Sequence, residues 1–118
     1  MATITPNLDT TIVGVPRLIW EGIVTGDTLT PFAITQQYGL AASVQVVGTF
    51  GGATVTLQVS NDGTNWVDAK DVLGTTISLT ATGYFEFSLS AAYIRPAVAS
   101  GSANDIDVIV VLRGSNGV

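Results

Sequence analysis

Apolar and polar residues alternate along most of the chain after residue 17. The clearest case is Thr54–Ser60, where Val55, Leu57 and Val59 share one face and the polar residues share the other. A period of two predicts a β-strand with one buried face. The same reasoning predicts further strands over 18–24, 28–35, 43–50, 65–69, 75–80, 84–89, 93–99 and 106–113.

Short turn-forming segments separate these strands. They include Gly51-Gly52, the Asn-Asp-Gly-Thr segment 61–64, Thr82-Gly83 and the Ser-Gly-Ser-Ala-Asn segment 100–104, which we expect to be a flexible loop. About eight or nine short strands, evenly spaced between Gly, Asn and Asp turns, predict an all-β fold, an antiparallel β-sandwich. A jelly roll is the variant that this pattern favours.

Two prolines, and one strand that is apolar on both faces, indicate where their strands lie within the sheets. Pro31 and Pro96 lack a backbone N–H, so each predicts a sheet edge or a bulge. The strand 106–113 is apolar on both faces, with Val108 and Val110 on one side and Ile109 and Val111 on the other. It is therefore either central in its sheet or covered by a neighbouring subunit.

Residues 1–17 differ from the rest because they contain two prolines and isolated apolar residues but no long alternation. We predict an extended N-terminal arm over 1–17 and a β-sandwich domain over 18–118. Such an arm either frays or docks on a partner, and the spaced apolar residues make the two outcomes comparable. The candidate docking residues of the arm are Ile4, Pro6, Leu8, Ile12, Val15 and Pro16.

The composition argues against catalysis and against several partners. The chain has no Cys and no His, so it lacks thiolate nucleophiles, the commonest general base and the commonest metal ligands. Four cations against nine acids cannot form a nucleic-acid surface. No export signal or membrane span is evident, and synthesis in a cytoplasm is the default. We therefore expect no enzymatic activity, no cofactor, no metal, no nucleic-acid partner and no membrane partner.

Charge is scarce on this chain. Charged residues make up 11% of it and the mean hydropathy is +0.48, whereas soluble domains average about 25% charged residues. A surface so thinly charged favours association, so part of it is expected to be covered by another protein.

The acidic positions have ordinary structural explanations. Asp62 lies in a segment that faintly resembles a calcium loop, but a calcium site needs several carboxylates, so we interpret the segment as a hairpin turn. Asp105 and Asp107 would share a strand face and could in principle divide acid and base roles. Their position beside a polar loop favours solvated charges that guard the end of a strand.

Arg95 and Trp66 each leave two interpretations open. Arg95 lies mid-strand and would pair either with Glu86 of the preceding strand or with a group across a subunit interface. Trp66 follows a turn and would either pack in the core, which we favour, or stack on a sugar together with other aromatics such as Trp20 or Tyr93.

Four stretches together resemble a known family. They are the residues Gly52–Trp66 around the Ser-Asn-Asp-Gly turn, Ile77–Thr80, Tyr93–Pro96 and Asp107–Leu112. These stretches, within about residues 43–113, resemble small β-sandwich structural proteins of tailed bacteriophages, above all the capsid decoration (cement) proteins.

The resemblance implies a homotrimeric jelly roll on the outer capsid surface of the virion, bound to the major capsid protein, with an arm under adjacent subunits. It carries over no catalytic residue. The alternatives are another virion module, such as a tail, neck or fibre-base part, and a carbohydrate-binding module. Arg95, Tyr93, Ile109 and Val111 are the candidate subunit-interface residues.

Overall fold

The computed structural model describes residues 2–9, 17–34, 38–88 and 91–114, of which 38–40 and 113–114 are described by their backbone. The described residues form twelve strands. These are β1 Thr3–Ile4, β2 Asn7–Asp9, β3 Arg17–Ile23, β4 Thr28–Leu29, β5 Phe32–Ala33, β6 Tyr38–Thr49, β7 Thr54–Ser60, β8 Val67–Asp68, β9 Ser78–Leu79, β10 Gly83–Ser88, β11 Tyr93–Ala99 and β12 Asp105–Gly114. Within this part of the chain, no helix is long and apolar enough to cross a membrane.

Ten of these strands form two antiparallel sheets that pack face to face, and β1 and β4 form a separate parallel pair. Sheet 1 has the order β10-β6-β12-β3-β2, and sheet 2 has the order β5-β11-β7-β8, with β9 also paired to β7. The pairing is nested: β3 pairs with β12, β5 with β11, β6 with β10, and β7 with β8 and β9. A nested set divided between two sheets is a jelly roll, so the predicted fold class is confirmed.

The core lies between the inner faces of the two sheets. Trp20 is its largest fully buried side chain, and its Nε1–H donates to the carbonyl oxygen of Thr30 over 2.9 Å. Inward residues of β12 complete the layer opposite sheet 2. The other large fully buried side chains are Phe87, Leu18, Ile23, Leu57, Ile77, Ile94, Ile106, Leu112, Val44, Val46 and Val55.

The prolines and the last strand behave as the sequence indicates. Pro31 divides the predicted strand 28–35 into β4, which pairs with β1, and β5, which pairs with β11. Beyond Ile94, β11 pairs along β7 while its pairing with β5 has ended, so Pro96 lies on an edge. β12 lies between β6 and β3, and the open choice for that strand is therefore resolved as central.

Residues 100–104 are held tightly, so the expectation of a flexible loop is wrong. The buried Asn104 side chain donates to the Phe50 carbonyl (3.2 Å) and the Thr25 hydroxyl (2.6 Å), and it accepts from the Thr25 backbone N–H (2.9 Å). Gly101 approaches so closely that a Cβ there would lie 2.5 Å from the Ala53 nitrogen. One amide thus joins three loops at one end of the sandwich.

The described part of the predicted arm lies along the domain. β1 pairs with β4 in parallel, and β2 pairs with β3 at the edge of sheet 1. The backbone N–H of Thr30 donates to the Ile4 carbonyl, and that of Thr28 donates to the Ala2 carbonyl. Ile12, Val15 and Pro16 lie outside the described residues.

We expect Asn104→Ala to lower the free energy of unfolding by about 2–4 kcal/mol, because it removes one buried and two partly buried hydrogen bonds and leaves their partners unsatisfied. Urea unfolding of the two proteins measures this difference. Ser102→Ala, an exposed change in the same loop, is the matched control and should cost under about 0.5 kcal/mol. Equal losses in the two variants would show that Asn104 does not join the loops.

Candidate interaction surfaces

The four candidate interface residues lie on opposite faces of the sandwich. Tyr93 and Arg95 point outward from sheet 2 and alternate along β11 with the buried Ile94 and Pro96. Ile109 and Val111 point outward from β12 in sheet 1, where the buried positions alternate with them. They form two separate surfaces, which the sequence could not show because consecutive strands change sheet.

Arg95 belongs to an ordered cluster on the outer face of sheet 2. Its Nε–H donates to Gln58 Oε1 over 3.0 Å, and its guanidinium carbon lies 4.0 Å from the centroid of the Trp66 ring. This cation–π contact fixes the direction in which the guanidinium points. The Tyr93 ring lies beside it and covers Gly63, where φ is +77° and an added Cβ would lie 3.3 Å from the ring.

The pairing of Arg95 with Glu86 is wrong. β10 and β11 are consecutive in the chain but belong to different sheets, so the two residues lie on opposite sides of the molecule. Glu86 instead accepts a long hydrogen bond, 3.4 Å, from the Tyr84 hydroxyl.

Trp66 is not a core residue, contrary to the favoured interpretation. Val67 pairs with Val59, and Asp68 pairs with the outward-facing Gln58, so alternation places Trp66 on the outer side as well. It is half-buried, and Arg95 covers one face of its ring. Trp20 has no exposed surface, so it cannot serve as a sugar platform.

The outer face of sheet 1 has a half-buried aliphatic centre. Ile19 of β3 lies opposite Ile109 of β12, and Val111 lies one row further along β12. Arg17 forms an ion pair with Asp9 of β2 at one side of this face. Tyr84 (56% exposed) and Glu86 lie on β10 at the other side.

The described arm residues differ in exposure. Ile4 packs against the core from β1 and Pro6 is half-buried, whereas Leu8 remains 46% exposed on β2. Leu8 is therefore the described arm residue with the most apolar side chain left for a partner. Docking of the arm stays a prediction.

One exposed apolar turn was not anticipated from the sequence. Leu73 is 87% exposed and Val72 67% exposed. Asp71 Oδ1 accepts 2.9 Å hydrogen bonds from the backbone N–H groups of Leu73 and Thr75, and the Val72 N–H donates to the Glu86 carbonyl. The turn therefore has an ordered backbone and leaves two apolar side chains in solvent. The Asp and Gly at positions 71 and 74 were the feature of the sequence that could have indicated a turn here.

Asp62 organises the turn between β7 and β8. Its carboxylate accepts from the Thr64 and Asn65 backbone N–H groups (2.9 and 2.8 Å), from Asn65 Nδ2 (2.7 Å) and from the Ser60 hydroxyl (2.9 Å). These donors, the two backbone groups first, hold the pKa of Asp62 well below its usual range. The hairpin-turn interpretation is confirmed.

The remaining acidic candidates have structural roles or stand in solvent. Asp107 Oδ1 accepts from the Gly22 N–H over 2.9 Å, at the bulge where β3 and β12 change register. Asp105 is exposed at the start of β12. In the described part of the chain, no three His, Cys, Asp or Glu side chains are grouped as a metal site would require.

Comparison with known proteins shows the fold. No family model and no curated protein matches the sequence. The structure is similar to the SPBc2 prophage-derived protein YomS, with a TM-score of 0.62 and 8% identity over 88% of this chain and 99% of that one. A cupin domain of Bordetella pertussis Tohama I aligns at a TM-score of 0.48 with 12% identity over 96% of each chain.

Asp62→Asn should lower stability at neutral pH and flatten its acid dependence. The folded-state pKa of Asp62 is depressed, so its contribution is present above the ordinary aspartate pKa of 3.8 and is lost as the pH falls below that value. Urea midpoints at pH 7 and pH 3 test this: the difference between wild type and variant should shrink at pH 3. Asp68→Asn, an exposed change on the neighbouring strand, is the control. A gap that stays constant with pH would contradict the assignment.

Proposed function

We propose that this chain is a virion structural protein of a tailed bacteriophage that docks on the outer capsid surface and stabilises the head. The observation that carries the proposal is the character of the outer surfaces. The chain has only thirteen charged side chains for an accessible surface of 6286 Å². Aliphatic or aromatic side chains are half-buried on both outer faces. Such a molecule is suited to binding by area rather than to chemistry.

The fold agrees with this origin. YomS, whose fold the chain shares over nearly its whole length, is a prophage-derived protein. The resemblance of the Ser-Asn-Asp-Gly hairpin and the neighbouring strands to decoration proteins makes the assignment more specific. The partners proposed are the major capsid protein and further copies of the chain in a homotrimer, without enzymatic activity, cofactor, nucleic acid or membrane.

The outer face of sheet 2 is the surface we assign to the capsid. Tyr93, Arg95 and Trp66 lie together there, and these are the residue types in which the energetically dominant positions of protein interfaces are enriched. Their neighbours in β7 and β11, Thr56 and Ala97, are small, so the face can lie against another protein. The ordered turn at Leu73, in which the Val72 N–H donates to the Glu86 carbonyl of β10, and Leu8 on the edge strand β2 add exposed apolar side chains at the edges of the sandwich.

Docking of this kind would stabilise the closed shell. Each copy that spans a seam between capsomers removes apolar surface from water, at about 25 cal/mol per Å². A ligand that binds only the assembled shell shifts the equilibrium toward that shell. Three linked copies increase the effective affinity of a weak single contact.

Phage particles that lack this protein should release their DNA at a lower temperature than complete particles, and added purified protein should restore the wild-type temperature. Copy number by mass spectrometry should reach hundreds per particle, and labelled copies should be found on the head. Equal thermal robustness with and without the protein, or a few copies confined to the tail, would contradict the proposal.

Leu73→Asp should weaken this restoration about tenfold or more in the concentration of protein required, because it places a charge in a desolvated contact. The change is made at an almost fully exposed position and should leave folding unaltered. Val24→Asp, at a residue 43% exposed elsewhere, is the matched control. Restoration by Leu73→Asp at wild-type concentration would remove this turn from the docking surface.

A further inference from the structure

We infer that the outer face of sheet 1 is the contact surface between copies of this chain, with Glu86 of one copy bound to Arg17 of the next. The inference deepens the homo-oligomer of the proposed function, but it concerns the purified chain alone. It rests on the order of residues in two adjacent rows that cross the sheet.

The strand registers define these rows. One row crosses the five strands of sheet 1 near its middle, and the next lies two residues away. The first row is Tyr84, Gln45, Ile109, Ile19 and Asn7, and the second is Glu86, Ser43, Val111, Arg17 and Asp9.

The second row holds an acid at one end and a cation near the other. Neighbouring strands are about 4.8 Å apart, so Glu86 on β10 and Arg17 on β3 are separated by roughly 14 Å and cannot pair within one copy. The Arg17 side chain is 37% exposed although it binds Asp9, so a second carboxylate can reach its guanidinium. Glu86 is exposed, and its side-chain contact is the long hydrogen bond from Tyr84.

A second copy is the partner that this pattern selects. Among the described side chains on this face, Arg17 is the only cation, and it already binds Asp9, so Glu86 of a second copy would join this ion pair as a second carboxylate. When β10 of one copy lies over β3 of the next, Glu86 meets Arg17 and the neighbouring Tyr84 covers Ile19. The face would then remove its aliphatic centre from water while Glu86 gains a contact with a guanidinium group.

The homotrimer of the proposed function requires the contact to be heterologous: the β10 side of one copy meets the β3 side of the next, without the reciprocal contact that a two-fold axis would give. Contacts of this type close into rings when the rotation between copies allows it. A ring in which the sheet 1 faces point toward the axis leaves the outer face of sheet 2, with Arg95 and Trp66, on the outside. Self-association and capsid docking therefore use different surfaces.

A double-mutant cycle on the purified chain tests the contact. Sedimentation velocity across a concentration series gives the dissociation constant of the oligomer for wild type, Glu86→Gln, Arg17→Gln and the double variant. Each single change should weaken association about fivefold, and the double change should weaken it by about the same factor instead of about 25-fold. Residues three strands apart in one molecule have no reason to couple in this way.

Two further measurements keep the result interpretable. Asp68→Asn, on the outer face of sheet 2, should leave the dissociation constant unchanged, and urea unfolding should show that both Gln variants remain folded. A wild-type chain that stays monomeric at its solubility limit, or additive effects of the two changes, would overturn the inference. Association with the expected coupling but without binding to any particle would support this contact and refute the capsid role.

Discussion

The indole of Trp20 lies between the two sheets without exposed surface, and its N–H donates to the Thr30 carbonyl. Thr30 precedes Pro31, the point at which the chain leaves β4 and enters β5 of sheet 2. The bond therefore joins β3 of sheet 1 to the segment through which the chain crosses from sheet 1 to sheet 2. It also satisfies a polar group that would otherwise be buried without a partner, at a cost of about 1–3 kcal/mol. The closed sandwich depends on this joint and on Asn104, which joins the loops at one end.

Closing the sandwich determines what the outside can be. Each sheet uses one face for the core, so all remaining side chains of β12 and β11 must meet solvent or another protein. The outer face of sheet 1 has an aliphatic centre between Glu86 on one side and the Arg17–Asp9 ion pair on the other, whereas the outer face of sheet 2 has the Arg95–Trp66 cluster. Because the faces point in opposite directions, a closed ring of copies can use one and leave the other free. We propose that this division separates self-association from capsid docking.

The ordered turns make such surfaces ready for binding. Asp62 and Asp71 each accept hydrogen bonds from two backbone N–H groups, so their turns are ordered without a partner. Arg95 is similarly held by Gln58 and the Trp66 ring. Association costs less conformational entropy when the contacting groups are already ordered. An ordered apolar turn such as that at Leu73 is therefore a better contact than a flexible loop of the same composition.

The sequence by itself determined the fold class, the main strands and the hairpin turn at Asp62, because period-two alternation and turn residues act locally. For β12 it left two alternatives, of which a central position in the sheet was one. It could not determine which strands share a sheet, since that depends on contacts between distant segments. For this reason the Glu86 partner of Arg95, the core position of Trp66 and the flexibility of 100–104 were wrong. Only the tertiary structure separated Tyr93 and Arg95 from Ile109 and Val111, and only the register of five strands aligned Glu86 with Arg17.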